Sequence, residues 1–178
     1  MISKLKKKIL NNFYSISDVC SVSIVGSFSN NEDINNVGDI DVVVIFNNLD
    51  KNKFNSCIKK TSKVKNLLSK YTDRILKINS TFGPIKFDKE KFIVIHLMIY
   101  DVNSHIDHVS KSPFTCYDWE LSNIYVGKKL SDIYPVRTLQ LNDFINSRRS
   151  IDNYLENLNK GVINYKKYIL NKNNKKIK

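Results

Sequence analysis

At 178 residues the chain has room for one domain with a substantial core and is too short for two comfortable ones. A hydrophobic fraction of 42% excludes general disorder, and a formal net charge of +12 favours polyanionic partners over cationic ones. Lysine far outnumbers arginine and is spread along the chain, so a solvated basic surface explains the charge as well as a nucleic-acid face does.

Leu5, Ile9, Leu10 and Phe13 fall on one stripe with lysines opposite, which predicts an amphipathic helix over 3–14. Its apolar stretch is too short for a signal peptide or a membrane span, and no membrane partner is expected. "VCSVSIVGS" alternates Val22 and Ile24 with Ser21 and Ser23 and stops at Gly26, the pattern of a strand ending in a turn. Phe28 to Gly38 is polar and rich in asparagine, which suits a loop or one helical turn. "DIDVVVIF" is β-branched and apolar after its acids, so it predicts a central strand.

After Asp50, a suitable N-cap, Phe54, Ile58, Val64, Leu67 and Leu68 predict a crossover helix or a pair of helices. Arg74 to Ile78 comes next; "FGPIKF", "DKEK" and "KFIVIHLMIY" then read as two strands joined by a charged hairpin turn. "SHIDHV" offers His105, Asp107 and His108 but no fourth ligand for zinc, and reads as a polar loop. From "SPFTCYDWE" onward the strand signals fade. Trp119 and its aromatic neighbours fit the packing of a core helix better than the stacking of a base. Leu141, Phe144, Ile145, Ile151, Leu155, Leu158 and Val162 predict one or two C-terminal helices.

The order of elements predicts an α+β fold: a small mixed β-sheet of about four to five strands covered by helices, with C-terminal helices. The chain divides into an α/β core over 1–138, a helical extension over 139–170 and a basic disordered tail over 171–178. Cys20, Cys57 and Cys116 are odd in number and lack CxxC spacing, so neither a disulfide framework nor a thiolate zinc site is expected, and a reducing cytoplasm suits them.

The chemistry concentrates in "SIVGSFSNNEDINNVGDIDVVVIF", residues 23–46. On a strand, residues two apart share a face, so Asp39 and Asp41 stand side by side. Buried together they repel and resist ionising. Most acid-x-acid pairs end a strand in solvent. The alternative is a divalent cation that prefers oxygen, Mg²⁺ or Mn²⁺, taking both carboxylates and keeping positions for phosphate oxygens and water. Gly26-Ser27 upstream weighs toward the cation, because glycine lets the backbone approach phosphates and free amides bind anions.

These residues resemble the signature of the DNA polymerase β-like nucleotidyltransferase superfamily, in a small, minimal-type form: a Gly-Ser pair followed by an acid-x-acid strand. The resemblance covers residues 22–46 well and the remainder by the order of elements. It implies a nucleotidyltransferase-like fold in which Gly26 and Ser27 hold the phosphates of a nucleoside triphosphate and Asp39 and Asp41 bind two metal ions. A nucleoside monophosphate would then pass to a hydroxyl acceptor: a small molecule, a protein side chain or an RNA end. Gly38 departs from the serine often found before the first acid.

The family also adds a third carboxylate from a later strand, and here "KFIVIHLMIYD" supplies that strand. One register puts Val94 in the third place, and another puts His96 there, as a ligand or base. The two share parity, so faces do not separate them; His96 is expected to face the acid pair, since it interrupts the most apolar run and needs a partner. Asp88 and Asp101 are the other acids nearby. The missing acid keeps a second function open: a weakened or inactive nucleotidyltransferase-fold module that binds nucleotide, RNA or a protein partner, as an antitoxin does, with the basic surface or the C-terminal helices as its contact.

Overall fold

The structure, a computed structural model, describes residues 3–79, 90–148, 169–170 and 176–177, the last four by backbone alone. Helix α1 (Lys4–Tyr14) is capped by Ser3, whose Oγ accepts from the Lys6 amide, and buries Leu5, Ile9, Leu10 and Phe13. Strand β1 (Val19–Val25) leads into the short helix α2 (Ser27–Asn30) and a 3₁₀ turn (Ile34–Asn36), and the chain enters β2 (Asp39–Phe46). Helix α3 (Lys51–Leu68), capped by Asp50, is one continuous element, followed by β3 (Ile75–Asn79) and β4 (Phe92–Asp101). Then come α4 (Val102–Lys111), α5 (Pro113–Glu120), β5 (Tyr125–Gly127) and α6 (Leu130–Ile133); residues 141–148 are helical.

Five strands form one sheet in the order β3-β4-β2-β1-β5, so the α+β class and the central place of β2 hold. β2 and β3 both run parallel to β4, while β1 is antiparallel to β2 and to β5. One face carries Val22, Ile24, Ile40, Val42, Val44, Ile93 and Ile95 against α1 and α3. The other carries Val25, Val43 and Ile45 against Val109 of α4, Cys116 and Trp119 of α5 and Leu130 of α6. Trp119 is therefore a core residue. On this second face Asp39, Asp41 and His96 stay partly exposed.

Four expectations change. The "SHIDHV" segment is helical, not a loop: Asp101 and Ser104 form a reciprocal capping box, and His105 and Val109, four apart, turn inward. β4 is no arm of a hairpin around 94–96, because β2 occupies one of its edges there and β3, parallel, the other; "FGPIKF" and most of "DKEK" lie outside the described residues. β5 appears where strand signals had faded, since three residues are too few to set a period. In α3 the inward stripe is Cys57, Thr61, Val64 and Leu68, which leaves Phe54 and Ile58 on the outer side, 44% and 48% exposed.

Of the C-terminal expectations, residues 149–168 and 171–175 lie outside the described set, and Ile169–Leu170 pairs antiparallel with Lys176–Ile177. No helix among the described residues is long and apolar enough to cross a membrane.

Candidate active site

The antiparallel pairing of β1 with β2 sets Val25 beside Asp41, so the turn after Val25 opens directly over the carboxylates. Gly26 makes that turn at φ +66°, and a Cβ on it would lie 2.7 Å from Asp41 Oδ2. Any other L residue would meet both backbone strain and the carboxylate. Ser27 follows, its Oγ donating to Asp39 Oδ1 at 3.3 Å. Gly26, Ser27, Asp39 and Asp41 thus come together, as their order in the sequence suggested.

Parallel pairing extends the row. Asp41 is the register partner of His96, and His96 that of Asn79, while Asp39 stands beside Val94 and Val94 beside Lys77. Register partners share a face, so His96 lies on the face of the acid pair. Asn79 Nδ2 and His96 Nδ1 are 2.7 Å apart. An Asn79 amide that donates leaves the ring proton on Nε2 and makes that nitrogen a donor; turning the amide round reverses the roles.

Electrostatics mark Asp41. Burial pushes its carboxyl up to about 7, and Asp39 and then Asp118 add to the rise. Burial pulls His96 down, with Asp39 partly opposing. Neither Asp39 nor Asp41 forms a salt bridge among the described residues. Two crowded carboxylates with no cation paired to them, under a turn where a Cβ has no room, fit a divalent ion with oxygen preference. No group of three or more His, Cys, Asp or Glu among the described residues could hold a metal by itself, so other oxygens would have to complete the coordination.

The third carboxylate is not among the residues in register with the pair. Val94, beside Asp39, is buried. Asp101 pairs with Phe46 at the far end of β2, and its Oδ1 accepts from the Ser104 hydroxyl and from the Ser104 amide, the latter at 2.7 Å, as the cap of α4; those bonds hold its carboxyl below the ordinary value. Asp88 lies outside the described residues.

Several residues around the site escaped the sequence reading. Lys6 is fully buried: its Nζ donates to the Ser29 carbonyl at 3.0 Å, lies 3.6 Å from Glu32 Oε1 and sits 5.3 Å from the centre of the Phe28 ring. It ties α1 to the short helix that begins at Ser27. A helical wheel held the signal, since Lys6 is four residues from Leu10 and seven from Phe13. Arg74 donates to the carbonyls of Asn35 and Val37 at 3.1 and 2.8 Å and to that of Phe92 at 2.7 Å, bracing the approach to Asp39 against the start of β4. Asp118, on α5, adds its negative charge to the rise of the Asp41 carboxyl.

The family model described as "Nucleotidyltransferase domain" matches residues 2–101, the span from α1 to the end of β4 that contains the turn, the acid pair and His96. A search of curated proteins returns no match. With more than half of its 178 residues matched and the expected sheet beneath the motif, the chain belongs to the nucleotidyltransferase domain family, within the DNA polymerase β-like superfamily.

Proposed function

We propose that the chain moves a nucleoside monophosphate from a nucleoside triphosphate to a hydroxyl acceptor, with Mg²⁺ or Mn²⁺ held by Asp39 and Asp41. The observation that carries this reading is the uncompensated acid pair on one face of β2, directly under Gly26 and beside Ser27. When bound, the cation would supply charge neutralisation at the α-phosphate and the leaving pyrophosphate. Gly26, lacking a Cβ, leaves room for the phosphate chain, and the Ser27 hydroxyl orients Asp39 and can turn toward a phosphate oxygen. The acceptor oxygen forms a bond to the α-phosphorus as the bond to pyrophosphate breaks, and the hydroxyl proton passes to a base or to water. His96, drawn toward its neutral form by burial, stands in the row where a base or a phosphate donor is needed.

The second reading, a binding module that has lost turnover, rests on buried Val94 beside Asp39, an alkyl group on the strand that supplies a third acid in the family. In that reading α1 and α3, which carry lysines and no acidic residue, would meet a nucleic acid or a protein partner. Either function suits the cytoplasm.

Equilibrium dialysis of ATP, CTP, GTP and UTP with and without Mg²⁺ tests both. Metal-dependent binding by the wild type that is lost in Asp39→Asn plus Asp41→Asn supports the site; equal binding by the double variant would sink it. Pyrophosphate release in the presence of acceptor pools then separates an enzyme from a module.

A further inference from the structure

The sheet sorts charge by face. On the side sealed by α1 and α3, α1 carries four lysines and α3 six, and neither helix has an acidic residue. On the other side, α4, α5 and α6 carry Asp107, Asp118, Glu120 and Asp132 against the single basic residue Lys111. A compositional bias toward lysine would load every helix alike, so the sorting has a cause of its own.

Not every lysine on the basic side is available. Lys6 is buried, and Lys53 is held by Asp18 at 2.6 Å and by Asp50 at 3.4 Å. Lys4, Lys7 and Lys8 on α1 and Lys51, Lys59 and Lys63 on α3 are exposed. The two helices lie side by side: Asn12 Nδ2 donates to the Lys60 carbonyl at 3.1 Å, and Lys60 Nζ donates to the Ser15 hydroxyl. Packed helices run with axes about 8–10 Å apart, so the outward sides form two adjacent basic rows. Asn11, Asn55 and Asn66 are exposed among these lysines, with amides that can donate to anionic oxygens. At 18 residues α3 is about 27 Å long, the length of roughly eight duplex steps of 3.4 Å.

The side chains narrow the partner. Lipid surfaces and protein interfaces bury apolar groups, and the outward rows offer none. Phe54 and Ile58, the exposed apolar residues of α3, fall by helical spacing on the flank away from Lys60 and hence from α1. Tyr14, the exposed aromatic of α1, turns toward Gly127. With no ring in either row to stack a base, the contact is to phosphates, and two rows suit the two strands of a duplex better than a single strand.

We infer that the face made by α1 and α3 docks the phosphate backbone of a nucleic-acid duplex. Ile40 and Val42 point to this side, so Asp39 and Asp41 point away from it, and the duplex is a tether rather than the acceptor. The inference names the polyanion that the basic balance attracts, and it holds with or without turnover at the acid pair.

The test uses the full chain and fluorescence anisotropy with a twelve-base-pair RNA duplex, a DNA duplex of the same sequence and a twelve-nucleotide oligouridylate. Circular dichroism checks each variant's fold, and Mg²⁺·ATP binding is measured in parallel. At least one duplex should bind more tightly than oligouridylate. Lys7→Gln plus Lys59→Gln should lose ten-fold or more in duplex affinity, flatten the log-log salt dependence by about two and keep Mg²⁺·ATP affinity. Lys111→Gln plus Lys129→Gln, which removes the same charge from the other face, should stay within two-fold of the wild type. Absent duplex binding, equal losses in the two lysine variants, tighter binding of oligouridylate, or displacement of the duplex by phosphatidylserine vesicles would overturn the inference. Loss of the duplex in Asp39→Asn plus Asp41→Asn would put the nucleic acid in the active site and overturn it too. A wild type that binds the duplex by this face but not Mg²⁺·ATP supports the inference and brings down the nucleotidyl-transfer reading alone.

Discussion

Asp41 and His96 are neighbours in register: burial, then Asp39 and Asp118, push the Asp41 carboxyl up, while His96 is drawn down by burial and its Nδ1 lies 2.7 Å from Asn79 Nδ2. Replacing Asn79 with Asp puts a carboxylate against Nδ1, which favours the imidazolium. NMR titration of Asn79→Asp should find the His96 pKa raised by roughly one unit or more, whereas Asn79→Ala should not raise it; an unmoved value in Asn79→Asp would contradict the contact. His105 makes the opposite case. It is buried, neither ring nitrogen has a hydrogen-bond partner among the described residues, and burial, with His108 beside it, pulls it down to about 4. The unfolded chain takes up this proton near 6.5 and the folded chain only near 4. Stability is therefore lost as pH falls through that window, at about 1.4 kcal/mol per pH unit. Urea denaturation of His105→Leu at pH 7.5 and pH 5 should give a smaller difference than the wild type does.

At the scale of elements, what was legible is what has a period or a cap. α1 announces itself through Leu5, Ile9, Leu10 and Phe13, β2 through its β-branched run, and α3 through Asp50. β5 holds three residues, and α4 hides its inward side because His105, a polar letter, occupies a buried place. The turn and the acid pair were readable because pairing is local between β1 and β2. Asn79 was not, because only the parallel register of β3 with β4 brings it beside His96. The cap of α4 gives a clean separation of roles: Asp101→Ala should cost about 1 kcal/mol in chemical denaturation and leave metal-dependent nucleotide affinity at the wild-type level. A large loss of affinity would return Asp101 to the site. Lys6 joins two elements, so Lys6→Met should destabilise the fold by about 1 to 3 kcal/mol. It should also weaken nucleotide binding through the loosened Ser27 turn, with Lys6→Arg recovering part of both.

Across the whole molecule, the sheet separates labour by face. α1 and α3 seal one side with the larger core, and α4, α5 and α6 seal half of the other, so the starts of β2 and the middle of β4 stay open where the charged residues stand. The net charge of +12 favours a polyanion such as a nucleotide, and in the proposed function the acid pair needs a cation to receive it. That cation is the central claim. A crystal soaked with Mn²⁺ and a non-hydrolysable nucleoside triphosphate, read by anomalous scattering at the manganese edge, tests it most directly. The account predicts a peak within about 2.2 Å of carboxylate oxygens from both Asp39 and Asp41, with the triphosphate lying along Gly26 and Ser27. A nucleotide bound elsewhere, or manganese that leaves both carboxylates untouched, would contradict it.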